Sequence, residues 1–310
     1  MDGIFFLILA LFTATTSIKL SDYGDALSKQ TKLGSALIGG ILIASITSLP
    51  ELVTSISAVL INNPTLSIGD ILGSNSFNIF TLAILNIVMF SKNVFYNASI
   101  KFSFECTLLL IEYISLLISF LLHKELITTI IIFVLYAIYI FKIINTNREE
   151  QISISNKENN SLIKFIVTAI ILIILSVLLT MQADKIARIY PKISSSSIGA
   201  ILLGITTSLP EVVSTFVLIK LNNNNMAISN ILGSNIFNFL VLAISNFFVR
   251  NNSIYYYSDK FTYMYIYGGI LLIVLLLLCI NNKNKNKLLN LFISLFMSFI
   301  YLLIWYFQFH

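Results

Sequence analysis

Two glutamates lie inside long apolar stretches of this chain, and each directly follows a proline. Glu51 ends the motif Thr47-Ser48-Leu49-Pro50-Glu51, which recurs as Thr207-Ser208-Leu209-Pro210-Glu211. A charged side chain within a bilayer is costly, so a glutamate in such a stretch indicates a functional site. Proline removes a backbone donor, and we therefore expect free carbonyl groups in the turn before each glutamate.

A second polar motif follows each glutamate at the same distance. Gly73-Ser74-Asn75-Ser76-Phe77-Asn78 recurs as Gly233-Ser234-Asn235-Ile236-Phe237-Asn238. Each half thus offers a carboxylate, hydroxyls, an amide oxygen and freed carbonyls, without sulfur or imidazole. Oxygen-only ligand sets favour hard cations, of which Ca²⁺ accepts the more flexible shell. Two carboxylates carry a charge of −2, which matches one Ca²⁺ or two monovalent cations and permits exchange at one shared site.

The elements that carry these motifs are predicted to be membrane helices. Of the 310 residues, 57 % are hydrophobic and only 11 % are charged, whereas about a quarter of an ordinary soluble domain is charged. This excludes a soluble enzyme and a disordered chain, and the continuous apolar runs disfavour a β-barrel. Runs of about 20 residues suffice for a crossing. They begin at Ile4 and continue at 33–60, 66–90, 100–122, 125–144, 162–183, 195–220, 226–249, 261–281 and 287–308.

The chain therefore divides into two blocks of five helices. Residues 1–144 form the first block, 145–160 a polar linker and 161–310 the second block. Residues 40–80 align with 200–240 at a constant offset of 160, with 18 identities in 41 positions. Copies separated by five crossings enter the membrane from opposite sides. Such inverted-topology repeats are typical of secondary transporters, which bind substrate near the midplane.

The basic residues predict the orientation of the ten helices. Thirteen Lys and Arg residues lie in the predicted loops on the linker side, against six on the opposite side. The positive-inside rule then places the linker in the cytoplasm and both termini outside the cell. Because the basic residues are scattered over loops, topology explains them better than a nucleic-acid partner does.

Sulfur and imidazole offer no alternative chemistry. Cys106 and Cys279 both lie in apolar runs, where a small buried side chain is the expected role. His123 and His310 have no spacing that makes a metal site. We therefore expect no cofactor, no enzymatic activity and no obligate protein partner, with membrane lipid as the surroundings.

At these motifs the chain resembles the sodium/calcium exchanger branch of the cation/calcium antiporter superfamily, in its prokaryotic form. The resemblance covers both repeats, at 35–80 and 195–240, and the ten-helix plan around them. It implies a protein of the cell membrane that exchanges Na⁺ for Ca²⁺ by alternating access. It also implies that the first and sixth helices slide past the other eight.

The resemblance further implies a set of ion ligands. Glu51 and Glu211 would be the central Ca²⁺ carboxylates, together with backbone oxygens of Thr47 and Thr207. The flanking Na⁺ sites would use the hydroxyls of Ser48, Ser74, Ser208 and Ser234. The backbone carbonyls of Ala44 and Gly204 would contribute to the same sites, and the side-chain amides of Asn78 and Asn238 would complete the central set.

The chain departs from the family pattern at four positions. Ile46 and Thr206 stand where the family usually has glycine before the first motif. Asn238 stands where potassium-dependent exchangers carry aspartate, which argues against K⁺ co-transport. Asp70 replaces an amide-bearing residue, and its repeat counterpart is Asn230.

Asp70 shares a helix face with Ser74 and Asn78, and two interpretations of it stay open. It could extend the ion path or carry a proton, or it could be a carboxylate favoured by a helix N-terminus. Nearby Thr54 and Ser55, like Ser214 and Thr215, are predicted to be interhelical hydrogen-bonding residues. Outside the repeats, Glu105 is predicted to be interfacial, and Glu112 receives no role.

Three other functions compete with Na⁺/Ca²⁺ exchange. A proton/Ca²⁺ exchanger on the same fold would use Glu51, Glu211 or Asp70 as proton carriers. The intact Gly-Ser-Asn motifs disfavour it, because proton-coupled relatives typically replace them. A cation channel fits an inverted repeat with a midplane site poorly, and a receptor or scaffold would need a soluble arm that the sequence does not show.

Overall fold

The computed structural model describes residues 2–28, 47–92, 94–95, 102–122, 125–146, 161–250, 252–282 and 286–308. Within these ranges the chain is helical and contains no strand. The helices are α1 (Asp2–Ser28), α2 (Leu49–Leu60), α3 (Pro64–Val88), α4 (Phe102–Leu122), α5 (Glu125–Thr146), α6 (Ser161–Ile189), α7 (Ser195–Thr207), α8 (Leu209–Lys220), α9 (Asn224–Asn246), α10 (Lys260–Ile280) and α11 (Lys287–Phe307).

Among the described residues, eight of these helices are long and apolar enough to cross a membrane, and the bent pair α7–α8 makes a ninth if it is counted as one span. The predicted crossing at 33–60 lies partly outside the described residues, and its described part, α2, has only 12 residues. The all-helical membrane fold is therefore confirmed, whereas the count of ten crossings stays a prediction. Most of the linker, 147–160, also lies outside the described residues.

Helices α3 and α9, which carry the second motif, lie at the centre of the molecule. Each is buried along most of its length, and α3 packs against α2, α7, α9, α10 and α11. The main hydrophobic core surrounds this pair. Helices α1 and α6 pack chiefly against each other, and several of their buried apolar residues belong to a second, smaller cluster.

The outer surface is apolar on the peripheral helices. On α1, Ile4 and Leu7 are 68 % and 67 % exposed, and Leu126 on α5 is 70 % exposed. Such a surface is stable only against an apolar medium. An α-helix pairs its backbone polar groups internally, as a bilayer requires. The surface is therefore that of a multi-pass membrane protein.

The offset of 160 residues also governs details of the backbone. Asn62 and Asn222 are the two non-glycine residues with positive φ in the described chain, at 63° and 60°. Asparagine tolerates this left-handed conformation better than most residues. The next residue in each half, Asn63 or Asn223, caps the following helix through its side chain. The repeat is thus a repeat of structure as well as of sequence.

Candidate cation-binding site

The proline motifs place both glutamates in the first turn of a new helix. Glu51 lies in the first turn of α2 and Glu211 in the first turn of α8. The chain bends by 45° between α7 and α8, on either side of Ser208. A helix N-terminus carries partial positive charge that favours a carboxylate. The breaks therefore give each buried glutamate some electrostatic support without a basic side chain.

Each glutamate is held by a serine of the other repeat. The Ser48 hydroxyl donates to Oε1 of Glu211 over 3.1 Å, and the Ser208 hydroxyl donates to Oε1 of Glu51 over 3.3 Å. The Ser234 hydroxyl also donates to Oε1 of Glu211, over 3.4 Å. The first motif of each repeat therefore binds the glutamate of the other repeat, and both carboxylates lie at the centre of the molecule.

On the α3 side, Ser74 contacts the turn that precedes Glu211. Its hydroxyl donates to the Gly204 carbonyl over 3.2 Å and lies 3.5 Å from the Thr207 hydroxyl. This approach requires glycine at position 204, because a Cβ there would lie 2.8 Å from the Ser74 backbone nitrogen. A π-helical turn, Gly199–Leu203, comes just before it, and such turns are frequent at functional sites.

Four asparagines join α3 to α9 by hydrogen bonds. Nδ2 of Asn78 donates to Oδ1 of Asn235 over 2.9 Å, and Nδ2 of Asn238 donates to Oδ1 of Asn75 over 3.0 Å. Nδ2 of Asn235 and of Asn75 donate to each other's backbone carbonyl, over 3.0 and 3.3 Å. We call these residues the asparagine quartet. All four are fully buried.

Four oxygens of this central region have no hydrogen-bond partner in the described structure. They are Oε2 of Glu51, Oε2 of Glu211, Oδ1 of Asn78 and Oδ1 of Asn238, and all are buried. None of the ion pairs seen among the described residues involves either glutamate. A buried acceptor without a donor is costly, and oxygens of these two types, carboxylate and amide, are ligands that hard cations accept.

Asp70 lies one helical turn before Ser74 and is also fully buried. Its Oδ2 accepts hydrogen bonds from Thr54 over 2.5 Å and from Ser55 over 3.2 Å. Its Oδ1 lies 3.5 Å from the Thr207 hydroxyl. The predicted hydrogen-bonding role of Thr54 and Ser55 is thus observed, with Asp70 as their acceptor. Among the described residues, the hydrogen-bond partners of this carboxylate are all neutral hydroxyls.

The structure places ten of the twelve main predicted ligands as fully buried side chains: Thr47, Ser48, Glu51, Ser74, Asn78, Thr207, Ser208, Glu211, Ser234 and Asn238. Gly204 is buried as well, and Ala44 lies outside the described residues. Sequence reasoning missed Asn75 and Asn235. Their recurrence within the second motif was the available signal.

Two acidic residues outside the repeats behave differently from each other. Glu105 forms an ion pair with Lys142 at 3.6 Å, and its side chain is 13 % exposed. Glu112 is fully buried, and neither carboxylate oxygen has a partner in the described structure. Neither residue contacts the central site through a hydrogen bond that the structure shows.

The family model described as "Sodium/calcium exchanger protein" matches residues 3–145 and 160–310 of this chain. Inner membrane protein YrbG of Escherichia coli (strain K12) is 28 % identical over 220 residues, which are 66 % of this chain and 67 % of YrbG. The uncharacterized membrane protein MJ0091 of Methanocaldococcus jannaschii is 28 % identical over 221 residues, which are 68 % and 70 % of the two chains.

Two solved structures share the fold of this chain. Native YfkE superposes with a TM-score of 0.75 at 15 % identity, over 100 % of this chain and 93 % of YfkE. The sodium-calcium exchanger NCX_Mj superposes with a TM-score of 0.60 at 21 % identity, over 97 % of each chain. Both superpositions extend over nearly the whole chain, so the likeness covers both repeats.

Proposed function

Because this chain belongs to the sodium/calcium exchanger family of cation antiporters, we propose that it exchanges Na⁺ for Ca²⁺ across the cell membrane. The observation that carries the proposal is the group of four unpartnered oxygens on Glu51, Glu211, Asn78 and Asn238. They come from both repeats and include two carboxylates. A single Ca²⁺ or two Na⁺ would neutralise the two carboxylates, and competition for the same ligands couples the two fluxes.

Polar groups on either side of the two glutamates provide separate Na⁺ sites next to the shared cation site. The Ser74 hydroxyl lies with the Gly204 carbonyl on one side, and Ser48, Ser208 and Ser234 bond the two glutamates. By the repeat, Ala44 is proposed as the counterpart of Gly204. Two buried carboxylates without a cation would be expensive in a closed site, which discourages movement of the empty transporter.

We further propose that the protein expels Ca²⁺ at the expense of the Na⁺ gradient. The distribution of basic residues supports external termini and a cytoplasmic linker. Cysteine accessibility in intact cells tests this orientation. Single cysteines introduced near residue 155 and at the C-terminus, in a background without Cys106 and Cys279, should react with an impermeant reagent only at the C-terminus. Labelling at residue 155 from outside would reverse the orientation.

Flux into proteoliposomes tests the exchange itself. Vesicles loaded with Na⁺ should take up Ca²⁺ when diluted into Na⁺-free medium, and vesicles loaded with K⁺ or choline should not. Uptake that is indifferent to the Na⁺ gradient would remove sodium coupling from the proposal. Saturable, counter-ion-dependent flux would separate exchange from an ohmic channel current.

Proton/Ca²⁺ exchange is the second candidate, and Asp70 is the observation that favours it. A buried carboxyl group whose partners in the described structure are all neutral hydroxyls can be kept neutral by a proton as well as by a metal ion. The same vesicles give the test, with a pH gradient imposed in Na⁺-free medium. Ca²⁺ uptake driven by that gradient would favour the proton-coupled form.

A further inference from the structure

We propose that Asn75 and Asn235 are positioning residues that determine which end of the Asn78 and Asn238 amides faces the transported cation. The inference rests on the proposed function, since it takes both amides as cation ligands. Neither Asn75 nor Asn235 needs to touch the ion. Each acts through the amide that it holds, and each holds the amide of the opposite repeat.

A side-chain amide has two ends of similar size and opposite electrostatic character. Its oxygen is a suitable ligand for Ca²⁺ or Na⁺, whereas its NH₂ group is a donor that repels a cation. Half a turn about the last side-chain bond exchanges the two ends. A transport site that uses amides as ligands therefore needs contacts that turn the oxygen of each amide toward the ion, one set of contacts for each amide.

The asparagine quartet contains such orienting contacts, and they begin at backbone carbonyl groups. The Asn75 carbonyl can only accept, and it lies 3.0 Å from Nδ2 of Asn235. This contact directs Oδ1 of Asn235 toward Asn78, where it accepts from Nδ2 over 2.9 Å. Reversal of the Asn78 amide would bring two oxygens together. Oδ1 of Asn78 is consequently the end left unpartnered.

The second half repeats the same chain of contacts with the partners exchanged. The Asn235 carbonyl accepts from Asn75 over 3.3 Å, and Oδ1 of Asn75 accepts from Nδ2 of Asn238 over 3.0 Å. Oδ1 of Asn238 is again left unpartnered. Because the orienting residue belongs to the other repeat, separation of α3 from α9 would release both amides together.

The test is a double-mutant cycle on Ca²⁺ affinity, measured by calorimetry on the purified full chain in detergent. N235A should weaken Ca²⁺ binding about tenfold or more, the usual effect of losing a group that orients a metal ligand. In an N78D background the ligand has oxygen at both ends and no orientation to lose, so N235A should cause no loss of affinity, and it removes the contact of a carboxylate oxygen with Oδ1 of Asn235. The mirrored cycle uses N75A and N238D, which covers a failure of either pair to fold.

Asn86 supplies the matched control. It lies on α3 as well, is buried, and donates to Ser294 while accepting from the Val94 backbone. N86A removes a buried amide of the same size outside the quartet. It should lower the melting temperature and leave the Ca²⁺ dissociation constant within about twofold of the parent, since it orients no proposed ligand.

Two results would overturn the positioning role. The first is unchanged Ca²⁺ affinity in both N235A and N75A. The other is an equal loss of affinity from N235A with Asn78 or with N78D, because that loss would be structural. E51Q separates this inference from the proposed function. Normal Ca²⁺ binding by E51Q would remove the site itself, whereas lost binding in E51Q with normal N235A would remove only the positioning role.

Discussion

The crossed serine–glutamate contacts and the asparagine quartet are the same in both repeats, whereas Ser74 and Ser234 donate to different groups and the next helical turn differs in charge. Ser48 and Ser208 bind the opposite glutamate in the same manner, and the asparagine quartet is symmetric. At the next turn, Asp70 accepts from Thr54 and Ser55, whereas Asn230 donates to Ser214 and Thr215 over 2.9 and 3.2 Å. The same scaffold thus carries hydrogen bonds of opposite direction.

This difference shows where an inverted repeat can become asymmetric without losing its shared centre. An ionised Asp70 adds one negative charge to the first half, at a position where the second half is neutral. The added charge lies against Thr207, at 3.5 Å, which the proposed function makes a ligand of the central ion. The two halves of the proposed site can therefore differ in their attraction for cations.

Neutralising one of the two glutamates should have the largest effect on the symmetric contacts that the two repeats share. E51Q and E211Q keep the shape of the side chain and remove its charge, so each should weaken Ca²⁺ binding by roughly 100-fold, the scale of about 3 kcal/mol for losing one partner of a buried charge interaction. Ca²⁺ calorimetry and vesicle flux measure the effect. T215S is the matched control, since it changes a buried hydroxyl residue outside the predicted ligands.

Equal losses in E51Q and E211Q would support a shared site with two equivalent carboxylates. Normal transport by both variants would remove the site assignment. A large loss in one variant alone would show that the symmetric arrangement of the two glutamates is not matched by symmetric use.

Exchange of the two differing residues sharpens the comparison. D70N should raise the free energy of unfolding in cation-free buffer by about 2 kcal/mol, because it removes a buried carboxylate whose partners in the described part of the chain are hydroxyls. N230D should lower it by a similar amount. Thermal unfolding in detergent at neutral pH measures both. A D70N protein less stable than the parent would mean that the carboxylate is fully compensated in the fold.

The serine that reaches across to each glutamate should have a smaller effect. S48A and S208A each remove one hydrogen bond to a charged acceptor, worth about 1.5 kcal/mol, so the apparent Ca²⁺ affinity should fall roughly tenfold. The two variants should agree within a factor of three if the halves are equivalent. Unchanged affinity in both would show that these hydrogen bonds do not orient the carboxylates for binding.

The smallest effects are expected at the helix caps. N223A should cost about 1 kcal/mol of stability, the usual value for losing an N-cap side chain. N63A should cost more, because Nδ2 of Asn63 also donates to Asp184 over 2.7 Å. N63S keeps a capping oxygen and should recover only part of the loss. Melting temperatures compare the three variants, and equal values for N63A and N223A would remove the contribution of Asp184.

Most of the helices could be predicted, because the hydropathy of a segment depends only on residues that are close together in the sequence. The runs predicted at 100–122, 125–144 and 287–308 agree with α4, α5 and α11 within a few residues. The run at 195–220 is broken at Ser208, where Pro210 had already indicated a disturbance. Helix α9 begins at Asn224, two residues before the predicted run, because Asn223 caps it.

The sequence by itself determined the membrane class, the repeat and the buried polar residues, since composition, spacing and self-similarity need no knowledge of distant contacts. Only the tertiary structure decided which residues of the two repeats meet. Ser48 bonds Glu211 rather than Glu51, and Asn235 holds Asn78, over separations of 163 and 157 residues along the chain. The first pairing joins the N-terminus of α2 to that of α8, and the second joins α3 to α9. Both depend on how distant helices pack together, which no local sequence pattern indicates.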